Sequence, residues 1–103
     1  MTGKNAYLNQ MTTITKYKKS SLQQIPGVGP AIAADLNGIG ITRVDQLQDQ
    51  SPQVLYDAVC DTTGAIHDRC LLYVFRCAVY YASTAQHEPE KLKWWNWKEV
   101  PPR

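Results

Sequence analysis

The sequence predicts an all-α fold, a compact bundle of about five helices closed by an aromatic C-terminal tail. Three observations carry this. Residues 66–83 form an apolar stretch too long, and too lacking in alternation, for a strand. Pro30 and Pro52 each sit where a helix would begin, a position that tolerates the missing N–H. Nothing reads as a strand hairpin or a strand–helix–strand unit. With 103 residues, 44% of them hydrophobic, the chain suits one domain with a modest core.

Residues 1–19 are polar and without period, and are expected to form a flexible basic arm. Residues 20–103 are expected to form the single domain. Ser20 or Ser21 caps a short helix to Gln24, with Leu22 and Ile25 apolar. Gly27-Val28-Gly29 then turns the chain. Pro30 opens the next helix, Ile32, Ala33 and Leu36 give it an apolar stripe, and Asn37-Gly38 ends it. Thr42 caps a further helix, with Val44 and Leu47 inward and Asp45 three positions after the cap. Ser51-Pro52 starts another, burying Val54, Leu55, Ala58 and Val59, and residues 61–64 break it. The longest helix, about 66–83, is apolar almost all round and should be the central buried one. The tail holds Trp94-Trp95-Asn96-Trp97 and one or two helical turns, stopped by Pro101-Pro102.

Charge is unevenly spread beneath a net of +2. Residues 1–19 carry +4, residues 20–87 carry −3, and residues 88–103 carry +1. Basic charge therefore sits at the ends, whereas a duplex-binding domain usually shows a basic face. No apolar run is long enough to cross a bilayer, and the N-terminus lacks a signal-peptide pattern, so no membrane association is expected. A cytoplasmic location is expected, and three cysteines, an odd number, suit a reducing compartment.

The sequence Ile25-Pro26-Gly27-Val28-Gly29-Pro30 carries the strongest functional signal. Glycine reaches positive φ cheaply and lets another backbone approach closely. The amides opening the next helix then point outward together, backed by the helix dipole, and favour an anion. Val28 is expected to plug inward. The candidate nucleic-acid-binding donors are the N–H groups of Gly27, Val28, Gly29 and Ala31, with Lys18, Lys19 and Arg43 supplying charge. The helix after the turn brings no basic residue of its own; its only charge is Asp35.

Other residues admit more than one reading. Cys60, His67, Cys70 and Cys77 permit a metal site, but their spacing is no known zinc signature. Buried thiols are the favoured reading, with metal and redox sensing behind it. No metal or other cofactor is expected. Nothing sets a nucleophile beside a base, so the protein is expected not to be an enzyme and to have no small-molecule substrate. Arg76, inside the most apolar helix, should be paired; Asp57, Asp61 and Asp68 are the candidate partners, ahead of a phosphate contact. Arg69 is the better exposed anion contact. The tryptophans either fold back over the core, stack on unpaired bases, or bind a partner, and folding back is favoured for one or two of them.

Leu22-x-x-Ile25-Pro26-Gly27-Val28-Gly29-Pro30-x-x-Ala33-x-x-Leu36 resembles the helix-hairpin-helix motif of non-specific DNA-binding proteins. That resemblance implies a SAM-like helical bundle whose hairpin amides contact the nucleic-acid backbone. The likeness extends from about residue 22 to 98, through Asp68-Arg69-Cys70, Tyr73-x-Phe75-Arg76 and Leu92-Lys93-Trp94-Trp95-Asn96-Trp97. Over this span the chain is similar to the small bacterial pathogenicity-locus family, whose members are sometimes labelled mitomycin-resistance proteins. The family resemblance implies a helix-hairpin-helix domain in a bacterial cytoplasm.

The expected function is therefore non-catalytic, sequence-independent binding of DNA phosphates, weak and helped by the lysine arm. The alternative is a protein-interaction adaptor in which the hairpin is only structural.

Overall fold

A computed structural model of the protein describes residues 21–100. The arm at 1–19, with Lys18 and Lys19, lies outside the described residues. The fold is all-helical, with no strand among the described residues. It has three α-helices, α1 (Pro30–Gly38), α2 (Pro52–Thr63) and α3 (Arg69–Ser83), and four short 3₁₀ turns. Those turns, Ser21–Gln24, Val44–Leu47, Pro89–Leu92 and Trp94–Lys98, replace two expected helices and form the tail. Four or five residues with two inward apolar groups satisfy a 3₁₀ turn as well as the start of an α-helix.

Helix α3 is the centre. None of residues 71–82 is solvent-exposed, and Phe75, Cys77 and Ala78 are fully buried. It packs against α2, against the Val44–Leu47 turn, and above all against the tail, while α2 joins α1 to this centre. Leu22, Ile25, Leu36, Leu47, Val59 and Leu72 complete the core. Each such burial stabilises by about 1.5–3 kcal/mol against leaving the side chain in water.

Helix starts follow chemistry more closely than hydrophobic spacing. Ser51 accepts the Val54 N–H at 3.3 Å and Pro52 follows, as read from sequence. The inward face of α2, however, is Leu55, Tyr56 and Val59; Val54 is 61% exposed. The long helix begins at Arg69, not near residue 66, because Asp68 caps it: its Oδ1 accepts the Cys70 N–H at 2.8 Å. Around Thr42 the cap is also different. Gln46 Oε1 accepts the N–H groups of Thr42 and Arg43, each at 2.8 Å, and Gln46 Nε2 donates to Gly40 O at 3.1 Å. Asp45 turns instead to the Arg43 side chain. The left-handed residue after α1 is Gly40, at φ +91°, two places beyond the expected Gly38.

The tail is built into the fold. Trp97 is buried, packs beside Tyr80 with ring centres 5.5 Å apart, and donates from Nε1 to Lys91 O at 2.8 Å. Arg76 reaches the tail from α3. Its Nη1 donates to the carbonyls of Trp97 at 2.8 Å and Lys98 at 3.4 Å, and its guanidinium lies 5.6 Å from the Tyr73 ring centre. The expected ion pair with Asp57, Asp61 or Asp68 is not formed. Main-chain oxygens from the tail meet the charge instead, over a separation of more than twenty residues. His87 fixes the connection: it stacks on Tyr81 at 4.5 Å, and its Nε2 lies 2.8 Å from Tyr81 O.

Candidate nucleic-acid interface

The turn before α1 is built by Pro26 and Gly27. Val28 N–H donates to Ile25 O at 3.0 Å, and Gly27 stands at φ +92°. Proline followed by a positive-φ glycine inside such a bond is the arrangement of a type II turn. Val28 is buried as expected, and its N–H is committed to that turn. Gly29 is the extended N-cap of α1, and no side chain caps the helix. The first bond into α1 runs from Ala33 N–H to Gly29 O at 2.9 Å. The amides of Gly29, Ala31 and Ile32 precede it and have no carbonyl within the helix to meet. Pro30, between them, has no N–H to donate. Space is open on the glycine: a Cβ on Gly29 would meet nothing within 4 Å.

The opposite holds at Gly27. A Cβ there would lie 2.8 Å from Trp94 Cδ1, so the tail tryptophan is seated directly on the glycine of the turn. Beside this contact is a cleft of about 320 Å³. Gly27, Ile32, Asp35, Asp68, Leu71 and Trp94 are among the residues lining it. Sequence reasoning places the hairpin and the tryptophans separately. No spacing rule brings residue 94 to residue 27.

Of the predicted charge partners, only Arg43 is among the described residues, and it lies away from the Gly27 turn. Arg43 stands at the cap of the Val44–Leu47 turn and pairs with Asp45, Nε to Oδ1 at 3.0 Å, both side chains largely exposed. Residues 21–100 carry six basic and nine acidic side chains, a net of −3. Of the lysines among them, Lys91 pairs with Glu88 at 3.2 Å and Lys93 with Glu90 at 3.0 Å.

The cysteines are dispersed. Cys77 is buried, and burial pushes its thiol up to about 11. Cys60 is half-buried and Cys70 exposed. The Asp68 carboxylate beside Cys70 raises that thiol, with desolvation adding to it. His67 Nε2 lies 2.8 Å from Thr63 Oγ1, and the Tyr56 hydroxyl donates to His67 O. Burial also raises the Tyr56 hydroxyl. Among the described residues, no three His, Cys, Asp or Glu side chains form a group able to hold a metal ion.

Asp68 gives a pH test of the helix start. The Cys70 N–H holds its carboxyl below the ordinary carboxylate value. A depressed folded value stabilises above the unfolded value of about 3.9 and is lost as pH falls through the folded one. Asn also caps helices but carries no charge. Thermal melts should therefore show wild type above Asp68→Asn at neutral pH, with the gap closing below about pH 4. A gap that persists in acid would assign the difference to packing.

A larger groove of about 620 Å³ lies elsewhere, between the start of α2, the end of α3 and the tail. Pro52, Val79, Tyr80, Trp97 and Val100 supply its apolar walls, with Arg76 at its side. No helix among the described residues is long and apolar enough to cross a membrane.

Fold and site together define a small all-helical protein in which a Pro-Gly turn feeds a helix that no side chain caps. The chain belongs to the family described as Pathogenicity locus, which residues 15–101 match. It is 32% identical over 84 residues to a protein of Streptomyces lavendulae named mitomycin resistance protein McrB. That alignment covers 82% of this chain and 76% of the relative. No solved structure matches the chain.

Proposed function

We propose that the protein is a non-catalytic module that binds the nucleic-acid phosphate backbone through a helix-hairpin-helix formed by residues 21–38. One observation carries this reading: the open start of α1, where the Gly29, Ala31 and Ile32 amides meet no side-chain cap and no Cβ obstructs Gly29. Contacts of this kind position a phosphate and carry no sequence information. The net charge of −3 on residues 21–100 opposes a polyanion, so affinity is borrowed from Lys18, Lys19 and the rest of the arm. Arg43, paired with Asp45, contributes little.

Anisotropy of labelled duplex and single-stranded DNA at low salt tests this. Binding should be weak, similar across duplex sequences, and lost as salt rises. Replacing both Lys18 and Lys19 by alanine should flatten the salt slope by about 2 on duplex, for two phosphates released. Ala31→Glu supplies the sharper variant. An acidic residue in the first turn favours the helix itself, yet it occupies the anion site and repels phosphate. Binding should fall about tenfold or more with the fold intact. Undetectable binding in low salt, or Ala31→Glu binding as wild type does, rejects the reading.

The groove of about 620 Å³ favours a second reading, a protein-interaction adaptor. Trp94 and Trp97 are not free to act as bait there, since one packs on Gly27 and the other is buried. Val100, 59% exposed, is among the apolar groups such a partner would meet in this groove.

A further inference from the structure

The cleft of about 320 Å³ adjoins the open start of α1, and Ile32 belongs to both. Its amide lies in the first turn of α1, and its side chain lines the cleft. The walls are apolar, with Ile32, Leu71, Val74 and the half-buried Trp94. The polar groups are Asp35, Asp68, Cys70 and His67, whose Nε2 is engaged with Thr63 Oγ1 at 2.8 Å. Asp35 is half-buried, and among the described residues its carboxylate has no hydrogen-bonding or ion-pair partner. Asp68 also lines the cleft, with one oxygen on the Cys70 N–H. A carboxylate only accepts hydrogen bonds, so the ligand must bring donors on a flat, apolar body. The volume is at the small end of ligand pockets, about 300–1,000 Å³, and suits one ring system rather than a base pair.

We propose that this cleft is a pocket for an unpaired guanine base, whose Watson–Crick edge donates to the Asp35 carboxylate while its ring lies against Trp94. Guanine alone of the DNA bases offers two adjacent donors on that edge, N1–H and the 2-amino group. Adenine and cytosine set a ring-nitrogen acceptor beside their amino group, and thymine flanks its N3–H with two carbonyls. Each of these would turn a lone pair toward the carboxylate. Reading a splayed base by its Watson–Crick edge while an aromatic side chain covers its face is a general mode for single-stranded nucleic acid. The inference deepens the backbone reading and rests on it for the source of the base. Gly29 and Ala31 hold a phosphate, and the attached base enters beside them. The module then prefers single strands that contain guanine, although its phosphate contacts are indifferent to sequence.

Nitrogen-15 spectra of the full chain, titrated separately with guanosine, 5′-GMP, 5′-AMP and inorganic phosphate, test the proposal. Guanosine and 5′-GMP should both move the Asp35 and Val74 amides and the Trp94 indole N–H; 5′-AMP and phosphate should leave them in place. Asp35→Asn should weaken 5′-GMP about tenfold, the loss of a charge-assisted pair. No movement at the cleft with either guanine ligand overturns the pocket, as does equal binding of 5′-AMP, or an unchanged affinity in Asp35→Asn. The two readings fail differently. Phosphate that moves Gly29 and Ala31 while guanosine moves nothing removes the pocket alone. Guanosine that fills the cleft while phosphate leaves Gly29 and Ala31 unmoved removes the backbone reading alone.

Discussion

Trp97→Ala is expected to cost about 3–5 kcal/mol of folding stability, the range for deleting a buried large aromatic side chain. Small folds hold only about 5–15 kcal/mol in total, so this variant should lose a large share of its stability. Three contacts fail together. The core loses an indole that is only 8% exposed, Lys91 O loses the Nε1 donor, and Tyr80 loses its ring neighbour. Urea midpoints measure the effect. Trp95→Ala, at a 52% exposed position, is the control and should stay within about 0.5 kcal/mol of wild type. Equal losses at the two positions would mean that the tail is not part of the core.

Gly27→Ala should destabilise by about 3 kcal/mol, from two sources. Positive φ strains a residue with a Cβ by about 1–3 kcal/mol. The new methyl would also sit 2.8 Å from Trp94 Cδ1, and overpacking of that kind costs about 1–3 kcal/mol. Gly40→Ala separates the two. It has nearly the same φ, +91°, but nothing within 4 Å of the added Cβ. It should therefore show the backbone strain alone. Gly29→Ala, at φ −95° in open space, should be nearly silent. Denaturant midpoints for the three variants decide. If Gly27→Ala and Gly40→Ala lose equal stability, the tryptophan gives way freely and does not clamp the turn.

Much of this fold was readable from the chain. Pro30, Ser51-Pro52 and the apolar run around Phe75 announce the three α-helices, because a cap, a fixed φ and a period are local properties. The inward Val28 was readable for the same reason. Short elements were not. The Val44–Leu47 and Ser21–Gln24 turns show the apolar spacing of a helix but stop after one turn, and spacing alone cannot separate the two. Arg76 shows a different gap. Charge rules look for an opposite side chain, and its partners are main-chain carbonyls of the tail, which no residue identity signals. The site was half legible. The glycine turn was visible, but the Trp94 wall and the Asp35 cleft arise from residues brought together only in three dimensions.

The central position of α3 also bears on how the protein comes to be folded during synthesis. One flank of it is covered by residues 87–98, which a ribosome makes after the rest of the core. A nascent chain that has reached Ser83 has all three helices, yet its middle helix still shows apolar surface to the cell. Domains often begin folding from the N-terminal side as they emerge; here closure waits for the tail. An interrupted product that stops short of Trp94 would be a ready target for chaperones and proteases.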